Sequence, residues 1–314
     1  MFPPIEPFAT GYLPVSDGNE IYWEACGSPI GKPALHLHGG PGGGIMTGHR
    51  RRYDPDRFMT IAFEQRGCGR SRPLATDPSM PLSTNTTQAL IADIELLRIH
   101  LGVEKWLLTG LSWGTTLALA YAQAHPDRVS EITLMAVTAT TAAEVEWTTE
   151  AMGRIFPEQW AIFEHASGRK PGQRIIDAFY DRITDPDSVV QEAAALAWCN
   201  WEDTHISLIG PTGSVSHFED PVYRQVFATL VIHYWKNAAF LGEAGLLAGM
   251  EKLAGIPGVL IHGRMDVSLP VDMAWKLHRA WPGSELIVVE NEGHGGEVMI
   301  DELFRAIARS TPND

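Results

Sequence analysis

Short apolar runs bounded by turn residues alternate with longer amphipathic stretches near both ends of this chain. Such runs are typical of strands, and the stretches between them are typical of helices. The pattern indicates an α/β fold in which a mostly parallel sheet carries helices on both faces. It predicts eight strands, a hairpin-like pair and six single strands, located near Tyr12, Glu20 to Cys26, Ala34, Met59, Trp106, Ile132, Val259 and Leu286.

Strand-like runs are missing between Thr138 and about Ala248. Amphipathic patterns occupy this segment and are interrupted by four prolines, Pro157, Pro171, Pro186 and Pro221. We therefore expect residues 139–248 to form an all-helical cap, inserted into a catalytic domain made of residues 1–138 and 249–314. Such a cap would cover the carboxyl ends of the strands, where ligand sites of open α/β sheets lie.

The pentapeptide Gly110 to Gly114, with Ser112 at its centre, lies between a strand-like run that ends at Thr109 and a helical pattern over Thr115 to His125. The pattern G-x-S-x-G alone is weak evidence, because it arises by chance in roughly one chain in ten of this length. A strand before it and a helix after it are the setting of a nucleophile elbow, which lifts the serine above the sheet edge. We expect Ser112 to be a nucleophile.

A serine of this kind needs a general base and an orienting carboxylate, which follow it in the chain order Asp or Glu, then His. Asp266 follows the predicted strand over Gly258 to His262, and His294 lies on a glycine-rich loop after the last predicted strand. Each has an ordinary interpretation, Asp266 as a helix cap and His294 as a solvated loop residue. Their order and their shared position at strand ends favour a triad with Ser112.

Backbone N–H groups that could form an oxyanion hole are expected from two places. One is Trp113, which follows the nucleophile, and the other is Gly40 in the loop His38 to Gly44. Glycines allow backbone amides to approach a substrate closely. A phosphate-binding loop is disfavoured, because the glycines have neither the Walker spacing nor the G-x-G-x-x-G pattern at the start of a helix.

Four blocks of the chain together resemble the proline iminopeptidase (prolyl aminopeptidase) family of α/β hydrolases. The blocks are His38 to Gly44, Gln65 to Ser71, Asn85 to Thr87 and Gly110 to Gly114, and the likeness extends over nearly the whole chain. The resemblance implies an α/β-hydrolase fold with a helical cap. It also implies a serine peptidase that releases an N-terminal residue, usually proline, through an aminoacyl ester on the serine.

The same resemblance implies an anchor for the substrate's amino group. Acidic residues of the cap bind this group in the family, and Trp201-Glu202 resembles the Trp-Glu pair that carries one of them. Glu202 is therefore the expected anchor, and the expected pocket around it consists of Trp198, Trp201, Val231 and Tyr234. Spacing alone puts Trp198, Trp201 and Glu202 on one helix face, which equally fits a core stripe with a solvated glutamate at its edge.

The chain departs from the family pattern at Val231, where the family usually has a second glutamate. The missing charge weakens the contacts that a secondary amine such as proline would receive. Asp203 could compensate, although it points about 100° away from Glu202 on the same helix. We therefore expect either proline or another small N-terminal residue, and the apolar surroundings of Val231 favour a non-proline aminoacyl amide with a hydrophobic body.

The formal charge is −14, from 38 acidic and 24 basic residues, and it disfavours nucleic acids and anionic membranes as partners. The expected partner is a small peptide or an aminoacyl amide. The short basic run His49 to Arg52 fits a solvated loop or helix face. We expect no cofactor and no metal, because His36 and His38 lack a third ligand motif nearby.

Three scattered cysteines, Cys26, Cys68 and Cys199, do not form a disulfide framework and fit a reducing compartment. The segment Met1 to Glu6 has neither the basic nor the apolar part of a signal peptide. These features favour the cytoplasm.

Two alternative functions remain open. A carboxylesterase or lactonase could use the same triad on a non-peptide molecule, although it would gain nothing from Glu202. A non-catalytic binding protein of the same fold is disfavoured by the complete set of triad residues.

Overall fold

The protein is built around a central eight-stranded sheet. The computed structural model describes residues 1–209 and 217–310. The strands β1 to β8, numbered in chain order, are Ala9–Pro14, Glu20–Gly27, Lys32–Leu37, Phe58–Phe63, Trp106–Leu111, Val129–Met135, Gly258–Gly263 and Ser284–Val289. Their order across the sheet is β1-β2-β4-β3-β5-β6-β7-β8. The pairs β1/β2 and β2/β4 are antiparallel, and all later neighbours are parallel. The predicted α/β class and all eight predicted strands are confirmed.

Burial along the strands follows their position in the sheet. The central strand β5 is buried at every position from Trp106 to Gly110, as expected of a parallel strand covered on both faces. The edge strand β1 alternates between half-buried and exposed residues. The carboxyl ends of β3, β5, β7 and β8 meet at one edge of the sheet, which brings the loops after these strands together.

Helices pack against the sheet. The helices α1 to α9 are Thr87–His100, Trp113–Ala124, Ala142–Thr149, Pro157–Ser167, Ile175–Ile183, Ser188–Ile206, Pro221–Lys236, Asp272–Ala280 and Glu297–Arg309. In the described residues, helix α2 contacts β5, while α8 and α9 contact the last strands and α1 packs on α2. None of the described helices combines the length and apolarity that crossing a lipid bilayer requires.

Helices α3 to α7 lie between β6 and β7 in the chain and share an aromatic core of their own. Phe163 stacks on Phe179 and on Trp201, with ring centroids 4.6 and 5.0 Å apart. Trp198 meets Phe163 edge to face. Such aromatic pairs add to the stability that burial alone provides. The division of the chain into a catalytic domain and a cap domain stays a prediction.

The basic run at residues 49–52 differs from the predicted solvated surface. His49 and Arg50 are buried, and Arg50 binds Glu24 with Nε and Nη2, at 2.7 and 2.9 Å from its two carboxylate oxygens. The His49 ring stacks on His36. The prediction was wrong for these two residues, because a pattern of charges does not reveal a buried carboxylate contributed by another strand.

Gly114 provides a test of how tightly the turn after β5 packs against β3. A Cβ on Gly114 would lie 2.1 Å from the carbonyl oxygen of Leu37, and backbone cannot move aside as a flexible side chain can. We expect Gly114→Ala to lower the free energy of unfolding by about 1–3 kcal/mol, measured by urea denaturation. Gly48→Ala is the matched control, because nothing lies within 4 Å of its added Cβ. Equal unfolding midpoints for the two variants would contradict this packing.

Candidate active site

Ser112 occupies a strained turn between β5 and α2. Its backbone has φ 53° and ψ −124°, a region that non-glycine residues rarely adopt. The Ser112 N–H donates to the Met135 carbonyl at 3.1 Å, and the Thr115 N–H donates to the Ser112 carbonyl at 2.8 Å. A Cβ on Gly110 would lie 2.4 Å from the carbonyl oxygen of Gly114. The two glycines therefore allow the sharp turn that a nucleophile elbow requires.

Asp266 and His294 meet at the carboxyl edge of the sheet. His294 Nδ1 lies 2.9 Å from Asp266 Oδ2, and a carboxylate can only accept, so Nδ1 carries the proton. The other oxygen, Oδ1, accepts from the backbone N–H groups of Ser268 and Leu269, both at 3.0 Å. Asp266 is thus held in place by its own loop while it orients the imidazole. This tautomer leaves the lone pair of His294 on Nε2.

Burial and charge compete at this pair. Burial would raise the pKa of Asp266, but His294, His262 and the Leu269 N–H together hold it below its usual value. Burial would lower the pKa of His294, but the Asp266 carboxylate and then Glu202 outweigh it, so this pKa is raised. The pair therefore favours an ionised carboxylate beside an imidazole that accepts a proton readily.

A cavity of about 420 Å³ brings the predicted residues together. Ser112, His294, Gly40 and Glu202 all line it, and it falls within the usual size range for small-ligand sites. A more open groove of about 1050 Å³ among α3, α4 and α5 contains none of these four residues. The remaining wall of the smaller cavity is largely apolar and aromatic, with contributions from Met46, Phe218, Tyr223, Phe227, Trp235 and Leu269.

Backbone N–H donors are available beside Ser112. Trp113 is the first residue of α2, and an N–H at this position has no acceptor within its own helix. Gly40 has φ +111°, and a Cβ there would lie 2.7 Å from the backbone nitrogens of Gly42 and Gly43. Only glycine fits such a position without strain. Gly40, Ser112 and Trp113 also line one small cavity together.

Glu202 lies near the end of α6 and is 4% exposed. Trp198 Nε1 donates to its Oε1 at 3.2 Å. Burial raises the pKa of Glu202 to about 7, although His294 and the Trp198 N–H act in the opposite direction. His205 Nε2 lies 3.7 Å from Oε2, but burial lowers the pKa of His205 to about 3, so this imidazole is neutral. The carboxylate therefore has no close permanently cationic partner in the described part of the chain.

The four residues predicted to form the pocket around Glu202 are all buried in the protein interior. Trp198, Trp201 and Val231 are buried in the aromatic core of the helical segment. Tyr234 packs on Trp113 and donates its hydroxyl to Asn85 Oδ1 at 2.6 Å. None of the four lines the cavity that contains Ser112. Trp198 still contacts Glu202, but as a hydrogen-bond donor from the core side.

Several cavity residues were missed by the sequence analysis. Ser268 lines the cavity, and its hydroxyl forms a hydrogen bond with His205 Nδ1 at 2.7 Å. Phe227 and Trp235 line the cavity from α7. Nothing in the apolar pattern of α7 distinguishes residues that face a cavity from those that face the helical core. Asp203, next to Glu202, also lines the cavity.

One group in the described residues has the composition of a metal site. Ligand atoms of Glu24, Cys26 and His49 lie within 4.8 Å of one another. Glu24 is already neutralised by its two hydrogen bonds with Arg50, and a cation bound there would face that guanidinium. None of the three residues lines the cavity with Ser112.

A family model described as the alpha/beta hydrolase fold matches residues 33–296. Together with the sheet order and the elbow, this match defines the class of the protein as an α/β hydrolase.

Proteins with similar sequences identify the family within this class. The chain is 44% identical to a probable proline iminopeptidase of Streptomyces coelicolor, with 98% of this chain and 96% of the relative covered. It is 41% identical to the proline iminopeptidase of Xylella fastidiosa, with 94% and 93% covered. The chain belongs to the proline iminopeptidase family, which confirms the resemblance seen in the sequence.

Solved structures support the fold alone. A proline iminopeptidase from Mycobacterium smegmatis superposes with a TM-score of 0.62 at 19% identity, with 96% of each chain covered. An esterase from Exiguobacterium antarcticum superposes with a TM-score of 0.57 at 21% identity, with 95% of this chain and 96% of that chain covered. At such identities the neighbours do not discriminate between peptidase and esterase chemistry.

Labelling by a fluorophosphonate probe tests the nucleophile without knowledge of the substrate. We expect one probe per molecule in the native protein and none in Ser112→Ala, because only a serine activated by a base attacks phosphorus rapidly. Ser207 lines the same cavity on a 3₁₀ turn rather than on the elbow. Ser207→Ala is the matched control and should label fully. Labelling that survives in Ser112→Ala would place the nucleophile elsewhere.

Proposed function

We propose that this chain is a serine aminopeptidase, which releases an N-terminal residue from a short peptide or an aminoacyl amide. The observation that carries this proposal is the buried Glu202 carboxylate in the same cavity as Ser112 and His294. A buried carboxylate with no close permanent cation is costly, and a bound ammonium ion offsets that cost. A substrate with a free amine is the ligand that completes such a site.

The proposed reaction begins with attack by Ser112 Oγ on the carbonyl carbon of the first residue, while His294 Nε2 accepts the hydroxyl proton. Asp266 holds the imidazole in its tautomer and stabilises the imidazolium. The N–H groups of Gly40 and Trp113 donate to the oxyanion of the tetrahedral intermediate. Collapse of this intermediate breaks the C–N bond, and His294 gives its proton to the leaving amine. Water, deprotonated by His294, then hydrolyses the aminoacyl ester on Ser112.

Glu202 gives this chemistry its proposed selectivity. An ester or lactone without an amine would leave the carboxylate buried and unpaired, so the esterase alternative gains nothing from it. The relatives at about 40% identity are named proline iminopeptidases, which favours proline as the released residue. Val231 is buried in the helical core away from the cavity, whereas Asp203 lines the cavity beside Glu202. We therefore propose that Asp203 supplies the second negative charge of the site. The N-terminal residue that is released is proline or another small residue.

The helical segment has a proposed role in this selectivity. We propose that residues 139–248 act as a cap over the catalytic domain formed by residues 1–138 and 249–314. The aromatic core shared by α3 to α7 supports this division, and so does the contribution of α6 and α7 to the cavity wall. A cap in this place restricts the cavity to short N-terminal segments.

The three cysteines are free and buried, which supports a cytoplasmic location.

Removal of the Glu202 charge tests the amine anchor. Prolyl arylamide and its carbocyclic isostere, cyclopentanecarbonyl arylamide, differ only in the ring nitrogen. We expect Glu202→Gln to lower kcat/KM for the prolyl substrate by roughly 10- to 100-fold, mainly through KM, and to leave the isostere nearly unchanged. Glu158→Gln, at an exposed position on α4, is the control and should keep the native ratio. An unchanged ratio in Glu202→Gln would refute the anchor.

The same ratio of kcat/KM values should depend on pH. Because burial raises the pKa of Glu202 to about 7, the carboxylate is charged above this value and neutral below it. The substrate ammonium loses its proton above roughly pH 8. The ratio should therefore rise as the pH increases through about 7 and decline above about 8. Ionisation of His294 affects both substrates and cancels in the ratio. A flat ratio between pH 5.5 and 8 would contradict the role of Glu202.

A further inference from the structure

Arg52 is a cavity residue that the reaction described above does not use. It follows the 3₁₀ turn Thr47–Arg51 in the loop after β3 and lines the same cavity as Ser112, His294 and Glu202. Its neighbours Arg50 and Arg51 both have polar partners, Glu24 for Arg50 and the Phe2 carbonyl for Arg51. Arg52 differs from them, because no acceptor within the described residues binds its guanidinium.

Burial of the unpaired Arg52 guanidinium is energetically unfavourable. Its Nη1 atom is shielded from solvent and has no hydrogen-bond partner. Burial lowers the pKa of Arg52, which is the direction expected of a cation that has lost water without gaining a carboxylate. The chain carries 38 acidic residues against 24 basic ones, so carboxylates are not scarce. An anion that enters the cavity would offset this cost.

Arg52 and Glu202 stand at different parts of the cavity. Glu202 lies beside Trp198 and His205 and affects the pKa of His294. Arg52, in contrast, affects His36 and His49, on the β3 side. Burial is the main cause of the low pKa values of these two histidines, and the charge of Arg52 lowers them further. No ion pair within 4.0 Å joins the two residues among the described interactions. The cavity is thus lined by a buried carboxylate and by an unpaired guanidinium that are not joined to each other, and by Ser112 and His294.

We propose that Arg52 binds the terminal carboxylate of the leaving part of the substrate, so that the preferred substrates are dipeptides and other very short peptides with a free C-terminus. This inference rests on the aminopeptidase function proposed above. Because Glu202 takes the amine of the residue that is acylated onto Ser112, Arg52 is left for a negative charge on the group that leaves. The planar guanidinium matches a carboxylate with two parallel hydrogen bonds.

The size of the cavity agrees with this assignment. A volume of about 420 Å³ lies in the lower part of the range for small-ligand sites. A long peptide would have to carry its C-terminal carboxylate out of this space. A short zwitterionic peptide offers an ammonium to Glu202 and a carboxylate to Arg52 within one cavity.

Arg52 also borders a second groove, which is lined by Asp54, Arg57 and Asp301 on the side of α9. A guanidinium that serves an anion in this groove would not affect hydrolysis in the Ser112 cavity. The two assignments therefore differ in what the Arg52 charge does to substrate preference.

A pair of peptides that differ only at the C-terminus tests the proposal. Prolyl-alanine has a free carboxylate, and prolyl-alaninamide has a neutral amide in its place. We expect the native protein to hydrolyse the acid with a kcat/KM roughly 10- to 100-fold above that of the amide. In Arg52→Met this ratio should fall to about one, because kcat/KM falls for the acid and stays the same for the amide. Arg52→Lys, which keeps the charge but not the fork, should retain part of the preference.

Arg51→Met is the matched control. It removes one positive charge from the adjacent position, and Arg51 does not line the Ser112 cavity. This variant should keep the native ratio of acid to amide. Thermal unfolding of all variants establishes that each is folded, and hydrolysis of the amide by Arg52→Met shows that its catalytic residues remain in place.

The outcomes separate this proposal from the one on which it rests. Equal rates for acid and amide in the native protein, or a preference that survives in Arg52→Met, overturn the role of Arg52 and leave the aminopeptidase intact. Failure to hydrolyse either peptide, while an ester without an amine is turned over, overturns the aminopeptidase and the role of Arg52 with it.

Discussion

The close approach of the turn at Ser112 to the end of β3 is the contact on which the rest of the site depends. Gly114 lies against the Leu37 carbonyl, and a Cβ on Gly39 would lie 3.4 Å from the Ser112 Cβ. This contact places the loop with Gly40 and the first N–H of α2 beside Ser112, the proposed nucleophile. A side chain at Gly114 would separate the two, and the donors for an oxyanion would no longer converge with Ser112.

The titratable groups of the site form one coupled system. Asp266 and then Glu202 both raise the pKa of His294, although burial acts against them. An ammonium ion bound at Glu202 would offset the second of these effects and so favour the neutral imidazole that attack by Ser112 needs. Occupation of the proposed amine site at Glu202 and readiness of His294 as the proposed base would therefore be linked through charge. His205, neutral at ordinary pH, adds no competing cation.

Short apolar runs were sufficient to predict the strands, because parallel strands that are buried on both faces are almost continuously apolar. The elbow could also be predicted, since its glycines are required by the turn itself. The pocket could not, because α7 is apolar both on the side that faces the helical core and on the side that faces the cavity. Trp198 and Val231 were thus assigned to the pocket but lie in the core. The basic run at residues 49–52 gave no sign that one arginine is paired and another is not, because the partner Glu24 comes from a distant strand.

Trapping of the covalent intermediate tests the central claim most directly. The protein would be mixed with a prolyl aryl ester, quenched in acid within milliseconds and digested for mass spectrometry. We predict a prolyl adduct on the peptide that contains Ser112, accumulated before steady state because the ester acylates faster than water deacylates. Turnover of the ester with no adduct on that peptide, or with an adduct on another residue, would contradict the assignment of Ser112 as the nucleophile of an aminopeptidase.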